Sequence, residues 1–369
     1  MKLHILTGEV INMKNLIKIL AIITAFFSFF LNTANADPLK VCYAFNGPIG
    51  EWGWNYQQEL GRQHVQNHFG DKVETIFIEG VGEGADAERA IRKLAMQDCK
   101  IIFSTTFTFM DQTVAVAADY PDIVFEHATG YKFAENLGVY EGATYQGRYI
   151  AGMVAGATSK TGKAAYIASF PIPELIRDIN AVALGMRSVN PEATLTIVWL
   201  YSWFDPAKEA DAVNVLINSG HDVTVQHTDG YAAVQVAQEK GTYAIGHATD
   251  LTKYGPDAHL TALEINWGPF MQSVVEDVMN GTWKSDVYWG DMTKGAIVVT
   301  PFNKIVPKDT VAKANDLIEQ MKNHTFEPFT GPIKNQAGEI MIPAGKSLNH
   351  DELLSINYLV EGVIGEIPQ

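Results

Sequence analysis

Two successive rounds of alternating strand and helix signals constrain this 369-residue chain more than any other feature. A β-prone run over 39–45 ends in the turn cluster Asn46-Gly47-Pro48, and an amphipathic stretch over 54–69 follows it. The exchange repeats through a strand at 73–78, a helix at 85–96, a strand at 100–104, a helix at 110–119 and a strand at 123–126. A second round opens with a helix beginning near Tyr145, whose Gly147, Ala151, Gly152, Ala155 and Gly156 let a neighbour pack closely. Strands at 164–168, 195–200, 223–226, 243–246 and 260–265 then alternate with helices at 175–189, 207–218, 232–239 and 270–279. Strands joined through helices pair in parallel, with the crossovers covering both faces of the sheet. The expectation is an α/β chain of two doubly wound parallel-sheet lobes. Ligands of such sheets bind outside the carboxyl ends of the strands, so two facing lobes share one cleft.

The composition suits packed lobes: 47% hydrophobic, 11% aromatic and only 19% charged. A net charge of -15 opposes a sequence-independent grip on nucleic acid or on an anionic membrane surface. Lys14 and Lys18 precede an apolar run over 17–31 and then Asn32-Thr33-Ala34-Asn35-Ala36. That pattern reads as a secretory signal peptide cut after Ala36, with Met13 the more natural start. A membrane anchor is the rival, because the run nears the lower limit of a span; the Ala-x-Ala ending favours cleavage. Cleavage removes three lysines and one glutamate, so the exported chain is more acidic still. No cysteine follows the cut to carry a lipid. Cys42 and Cys99 are free to pair in an oxidising compartment, and the sequence leaves that open. The expected division is a signal peptide over 1–36, a first lobe over 37–143 plus about 267–300, a second over 144–266, and a C-terminal segment over 301–369 bridging the two.

Enzyme motifs are scarce. Gly156 to Lys163 imitates a phosphate loop, but five residues separate its glycines, Ala164 replaces the magnesium-binding hydroxyl, and a strand follows. Gly80-Val-Gly82-Glu-Gly84 lacks dinucleotide-binding spacing. His64 and His68 stand four apart on a helix without a third ligand, and no Gly-x-Ser-x-Gly elbow exists. Neither a cofactor nor a metal is expected.

The informative residues lie just past strand ends. After the first strand come Glu51, Trp54 and Asn55; after the third, Phe109 and Asp111. The second half supplies Phe170, Trp203, Asp205, Asp229, His247 and Asp250, and Trp267 follows the last strand. Taken singly, such an aromatic is more often core, and an acid near a helix start is more often a cap, as Asp205 before Pro206 suggests. Recurrence of aromatics with carboxylates at matching places in both halves favours a site. Aromatic faces sandwich a flat, nitrogen-rich ring, while Asp, Asn and His satisfy its nitrogens. No nucleophile stands beside a base to activate it, so binding is favoured over catalysis.

The stretches Gly47-Pro48-Ile49-Gly50-Glu51-Trp52-Gly53-Trp54-Asn55, Phe107-Thr108-Phe109-Met110-Asp111, Trp203-Phe204-Asp205-Pro206-Ala207-Lys208-Glu209 and Ala244-Ile245-Gly246-His247-Ala248-Thr249-Asp250 resemble the basic membrane protein family of ABC transporter substrate-binding proteins. The resemblance runs over about 40–333. It implies a type I periplasmic binding fold with a ligand in the cleft, an ABC permease as partner, and a monomer. It also implies a base stacked between two aromatics: Trp54, and either Phe170 or Trp203, with Trp203 preferred. Asp111 and Asp250 match acidic positions near the ligand, and Asn55 follows the stacking residue as in the family. Gly50-Glu51 replaces the Asn-Asp of the nucleoside receptors, and Ile265 or Asn266 stands where they place a lysine. Both changes remove groups that hold the sugar. The expected ligand is therefore a free purine base, adenine first and a nucleoside second. A periplasmic nucleoside hydrolase and a ligand-sensing receptor are the rivals from other classes.

Overall fold

The computed structural model describes residues 3–4, 10–11 and 37–368. Leu3–His4 pairs antiparallel with Val10–Ile11 within a unit spanning residues 1–38. The signal-peptide run and its cleavage point lie outside the described residues. No described helix is long and apolar enough to cross a membrane.

In the unit from Leu39 onward, the strand Leu39–Ala44 illustrates why the sheets are parallel. Its Val41, Cys42, Tyr43 and Ala44 are all fully buried, with no polar face to turn to water. It lies between the parallel strands Val73–Ile78 and Ile101–Ser104, and Val124–Ala128, Leu137–Gly142 and Val287–Gly290 complete a six-stranded parallel sheet. Cys42 and Cys99 are joined as a disulfide across 6.0 Å between Cα atoms.

The second sheet has seven strands. In spatial order they are Ile297–Val299, His259–Ile265, Tyr243–Gly246, Val223–Gln226, Lys163–Ala168, Thr194–Trp199 and Val363–Ile364. All pairs are parallel except that of Ile297–Val299 with His259–Ile265. The stretch expected in the first lobe up to about residue 300 therefore divides. Helix Gly268–Asn280 packs on helix Gly53–Phe69, and Val287–Gly290 joins the first sheet, but Ile297–Val299 extends the second.

Helices Thr144–Thr158 and Pro173–Val189 cross in close contact. A Cβ on Gly152 would run into the Val182 carbonyl, and one on Gly185 into that of Tyr149, so side chains are excluded there. The tail touches both sheets. Val363–Ile364 extends the second, while His350 meets the edge of Trp289, on an outer strand of the first, at 4.5 Å. A buried ion pair between Glu141 of the first sheet and Arg177 of helix Pro173–Val189 also crosses the junction.

Candidate functional site

Strand order positions the site. Chain connections depart in opposite directions on either side of Leu39–Ala44 in the first sheet and of Lys163–Ala168 in the second. Each arrangement leaves a crevice at the carboxyl ends of those strands. A cavity occupies both crevices at once. From the first lobe, Asn46, Thr106, Phe107 and Thr129 follow strand ends and Trp54 opens helix Gly53–Phe69. From the second come Ile172, Glu174, Trp203, His227, Asp229 and His247.

Trp54 is held on three sides. Its indole N–H donates to the Thr105 carbonyl at 2.5 Å, and its ring meets the edge of Trp267 at 5.7 Å and 73°. Its backbone N–H donates to Asp229 Oδ1 of the other lobe at 2.6 Å. The preceding Gly53 N–H donates to Thr249 Oγ1 at 2.9 Å. Trp52, at the N-cap, offers no capping side chain, so the second lobe caps the first lobe's helix. Gly53 is required twice over: its φ is 76°, and a Cβ would strike the Asp229 carboxylate. At the rim, Lys253 donates to Glu51 at 2.5 Å. The Asp229 backbone N–H donates to the Trp203 carbonyl at 2.7 Å, and the buried Trp203 indole N–H has no protein partner.

The second-lobe floor is a buried polar network. Arg148, with no exposure, donates to His247 Nδ1 at 2.7 Å, to the Gln226 carbonyl at 3.0 Å and to Asp178 Oδ2 at 3.3 Å. The rings of His227 and His247 lie 4.2 Å apart. Burial holds both imidazoles well below the ordinary range: the neighbouring His247 and then Arg148 add to this at His227, and Arg148 adds to it at His247. Burial pushes the Asp229 carboxyl up to about 7 against the pull of the Trp54 N–H. Glu174 rises to about 8, through burial first and then the nearby Glu141 and Asp178.

Of the residues expected at the site, Trp54, Trp203, Asp229 and His247 line the cavity. Trp267 lies behind Trp54, fully buried against Tyr140. Asn55 is buried beneath the Gly47 turn, and Phe170 packs on Trp203 at 5.3 Å. Glu51 stays exposed at the rim. Four residues sit elsewhere. Phe109 is in the apolar core of the first lobe with Ile91 and Phe125, where its ring escapes water completely. Asp111 is exposed and pairs with Lys132 at 2.6 Å. Asp205 caps helix Pro206–Asn218 by accepting the Lys208 N–H at 3.0 Å, the plainer of the two roles open to it. Asp250 accepts the Thr252 N–H at 2.8 Å and faces His259 at 3.5 Å. Sequence reasoning passed over Phe107, Glu174 and His227 as site residues. Phe107 stands two positions before the aromatic it chose, and His227 directly follows a strand. Glu174 resembles any acid in a first helical turn.

Aromatic walls with a polar floor suit a flat ring carrying nitrogens. A family model described as "ABC transporter substrate-binding protein PnrA-like" matches residues 39–327. A purine-binding protein of Brucella abortus is 45% identical over 333 residues, covering 90% of this chain and 95% of its own. A putative ABC transporter glucose-binding protein of Haloferax volcanii is 35% identical over 336 residues, covering 91% and 83%. Among solved structures, a solute-binding protein of an ABC transporter from Aeropyrum pernix superposes with a TM-score of 0.68 at 16% identity, covering 85% of this chain and 95% of its own. That likeness speaks for the fold alone: two lobes of the type I periplasmic binding kind.

Proposed function

The chain belongs to the PnrA-like family of ABC transporter substrate-binding proteins, and from that premise we propose that it captures a free purine base, adenine before a nucleoside, between Trp54 and Trp203. The observation that carries this reading is the cavity itself, with an indole from each lobe in its walls and His227, Asp229, His247 and Glu174 along one side. Stacking on indole faces supplies affinity, and the polar groups select the pattern of donors and acceptors. The purine-binding Brucella relative supports the ligand class. Capture proceeds by closure of the lobes, and the closed form presents its ligand to the permease. The chain works outside the cytoplasm as a monomer once the leader is cut after Ala36. It binds without catalysis, because Asp229 is engaged with a helix N-terminus and His247 with Arg148 rather than with a nucleophile.

Calorimetric titration with adenine, hypoxanthine, adenosine and glucose tests the proposal. Adenine is expected to bind most tightly, with adenosine behind it. Tightest binding of glucose, the class in the Haloferax relative's name, would overturn it, as would release of free base from adenosine.

A further inference from the structure

An arginine side chain has five N–H donors, no acceptor and a charge it keeps at any ordinary pH. That fact decides the chemistry of the nitrogen it faces. Arg148 Nη2 lies 2.7 Å from His247 Nδ1, so Nδ1 must be the acceptor of that hydrogen bond. A neutral imidazole accepting at Nδ1 carries its proton at Nε2. An imidazolium would turn an N–H toward a cation, so the charged form is excluded as well. With Nδ1 occupied, Nε2 is the ring nitrogen His247 has left for the cavity it lines.

Arg148 has little freedom to relax this constraint. It is fully buried, donates also to the Gln226 carbonyl and to Asp178, and lies 5.7 Å from the Tyr166 ring centroid. Asp178 is fixed in turn by the Thr144 hydroxyl at 2.8 Å. His227 makes the contrast. Its Nδ1 faces the Tyr166 hydroxyl at 2.6 Å, and a hydroxyl donates or accepts, so that imidazole keeps both tautomers available.

We infer that Arg148 is a positioning residue that makes His247 an obligate hydrogen-bond donor through Nε2, so that the ligand must present a lone pair at that point. The inference rests on the proposed purine ligand only for the identity of that lone pair, which on adenine is a ring nitrogen. A ring with a C–H there leaves the buried His247 N–H unpaired, a loss of about tenfold or more in affinity.

Two experiments keep protein and ligand separate. Long-range 1H–15N correlation on the full chain labelled in histidine, with His247→Asn to assign the signal, reads the tautomer without ligand. The Nε2–H form is expected alone between pH 6 and 8; a Nδ1–H form or an imidazolium at pH 7 overturns the inference. The double variant Arg148→Met with Asp178→Asn removes both charges together, so neither is left buried alone. There His247 is expected to show both tautomers; an unchanged Nε2–H form would deny Arg148 its role. Titration of 1-, 3- and 7-deazaadenine then locates the acceptor: one analogue should lose at least about tenfold, and His247→Asn should abolish that difference. Equal binding of all three analogues would overturn the selection of a lone pair. Failure of adenine itself to bind would remove the ligand assignment and leave the tautomer result standing.

Discussion

The two lobes contribute unlike halves to one cavity. The first brings Trp54, Phe107, Asn46, Thr106 and Thr129, none of which titrates near neutral pH. The second brings every ionisable side chain that lines the cavity, Glu174, His227, Asp229 and His247, of which the two carboxyls are the ones pushed up toward neutral pH. The first half is also backed by rings, with Trp267 and Tyr140 behind Trp54. The second rests on the Arg148–Asp178 pair. Apolar backing holds a ring face still without regard to pH, whereas a buried charged network sets protonation and tautomers. On the proposed reading each lobe gives one indole to the stack, Trp54 and Trp203, while the ionisable groups that discriminate come from the second lobe.

The comparison is broken most severely through the second lobe's foundation. Asp178→Ala leaves Arg148 buried without its carboxylate partner, and about 3–5 kcal/mol of folding stability should be lost in urea denaturation. A loss near zero would mean that Arg148 finds water or another acceptor. Trp54→Ala should weaken adenine binding by at least about 2 kcal/mol, by the standard of large aromatic anchors. An unchanged dissociation constant would remove that residue from the site.

The pH response sharpens the contrast. Glu174 at about 8 and Asp229 at about 7 lie above their values in an unfolded chain, so the folded state retains protons that the unfolded chain has released. The stability they contribute is complete below the ordinary carboxyl range and is lost as pH rises through 7 to 8. Glu174→Gln with Asp229→Asn should therefore flatten the fall in melting temperature between pH 5 and pH 9. A fall just as steep would place the cause elsewhere, such as Glu126, a first-lobe carboxyl at about 8 away from the cavity. The smallest effect is expected at the rim. Glu51 and Lys253 join the lobes but remain well exposed, so Glu51→Gln should leave the melting temperature and the adenine dissociation constant close to those of the parent protein.

Much of the architecture is legible because continuous apolar strands and 3.6-residue periodicity are local signals. Leu137–Gly142 escaped notice because two glycines and Glu141 interrupt its apolar character; Gly138 leaves room for the Glu126 carboxylate. Ile297–Val299 has only three residues and joins a sheet its neighbours in sequence do not. At the site, Trp54 and Trp203 are legible as aromatics in turns after strands. The position of Phe107 against Phe109 is not, since a single turn of 3₁₀ helix decides which ring faces the cleft and which the core. Asp111 and Asp250 matched a pattern but found partners nearby: a lysine for one, a backbone N–H and a histidine for the other. Arg148 and Asp178 lie inside helices, where nothing in the flanking residues separates a buried charge from a solvated one.

The central claim is that a purine base occupies the cavity between Trp54 of one lobe and Trp203 of the other, against the ionisable groups of the second. Native mass spectrometry of the purified protein, followed by release and identification of any bound molecule, tests it most directly. The account predicts a co-purified mass matching adenine or another purine base, displaced when excess adenine is added. A protein that carries no purine and stays unchanged in mass across a purine panel would contradict it.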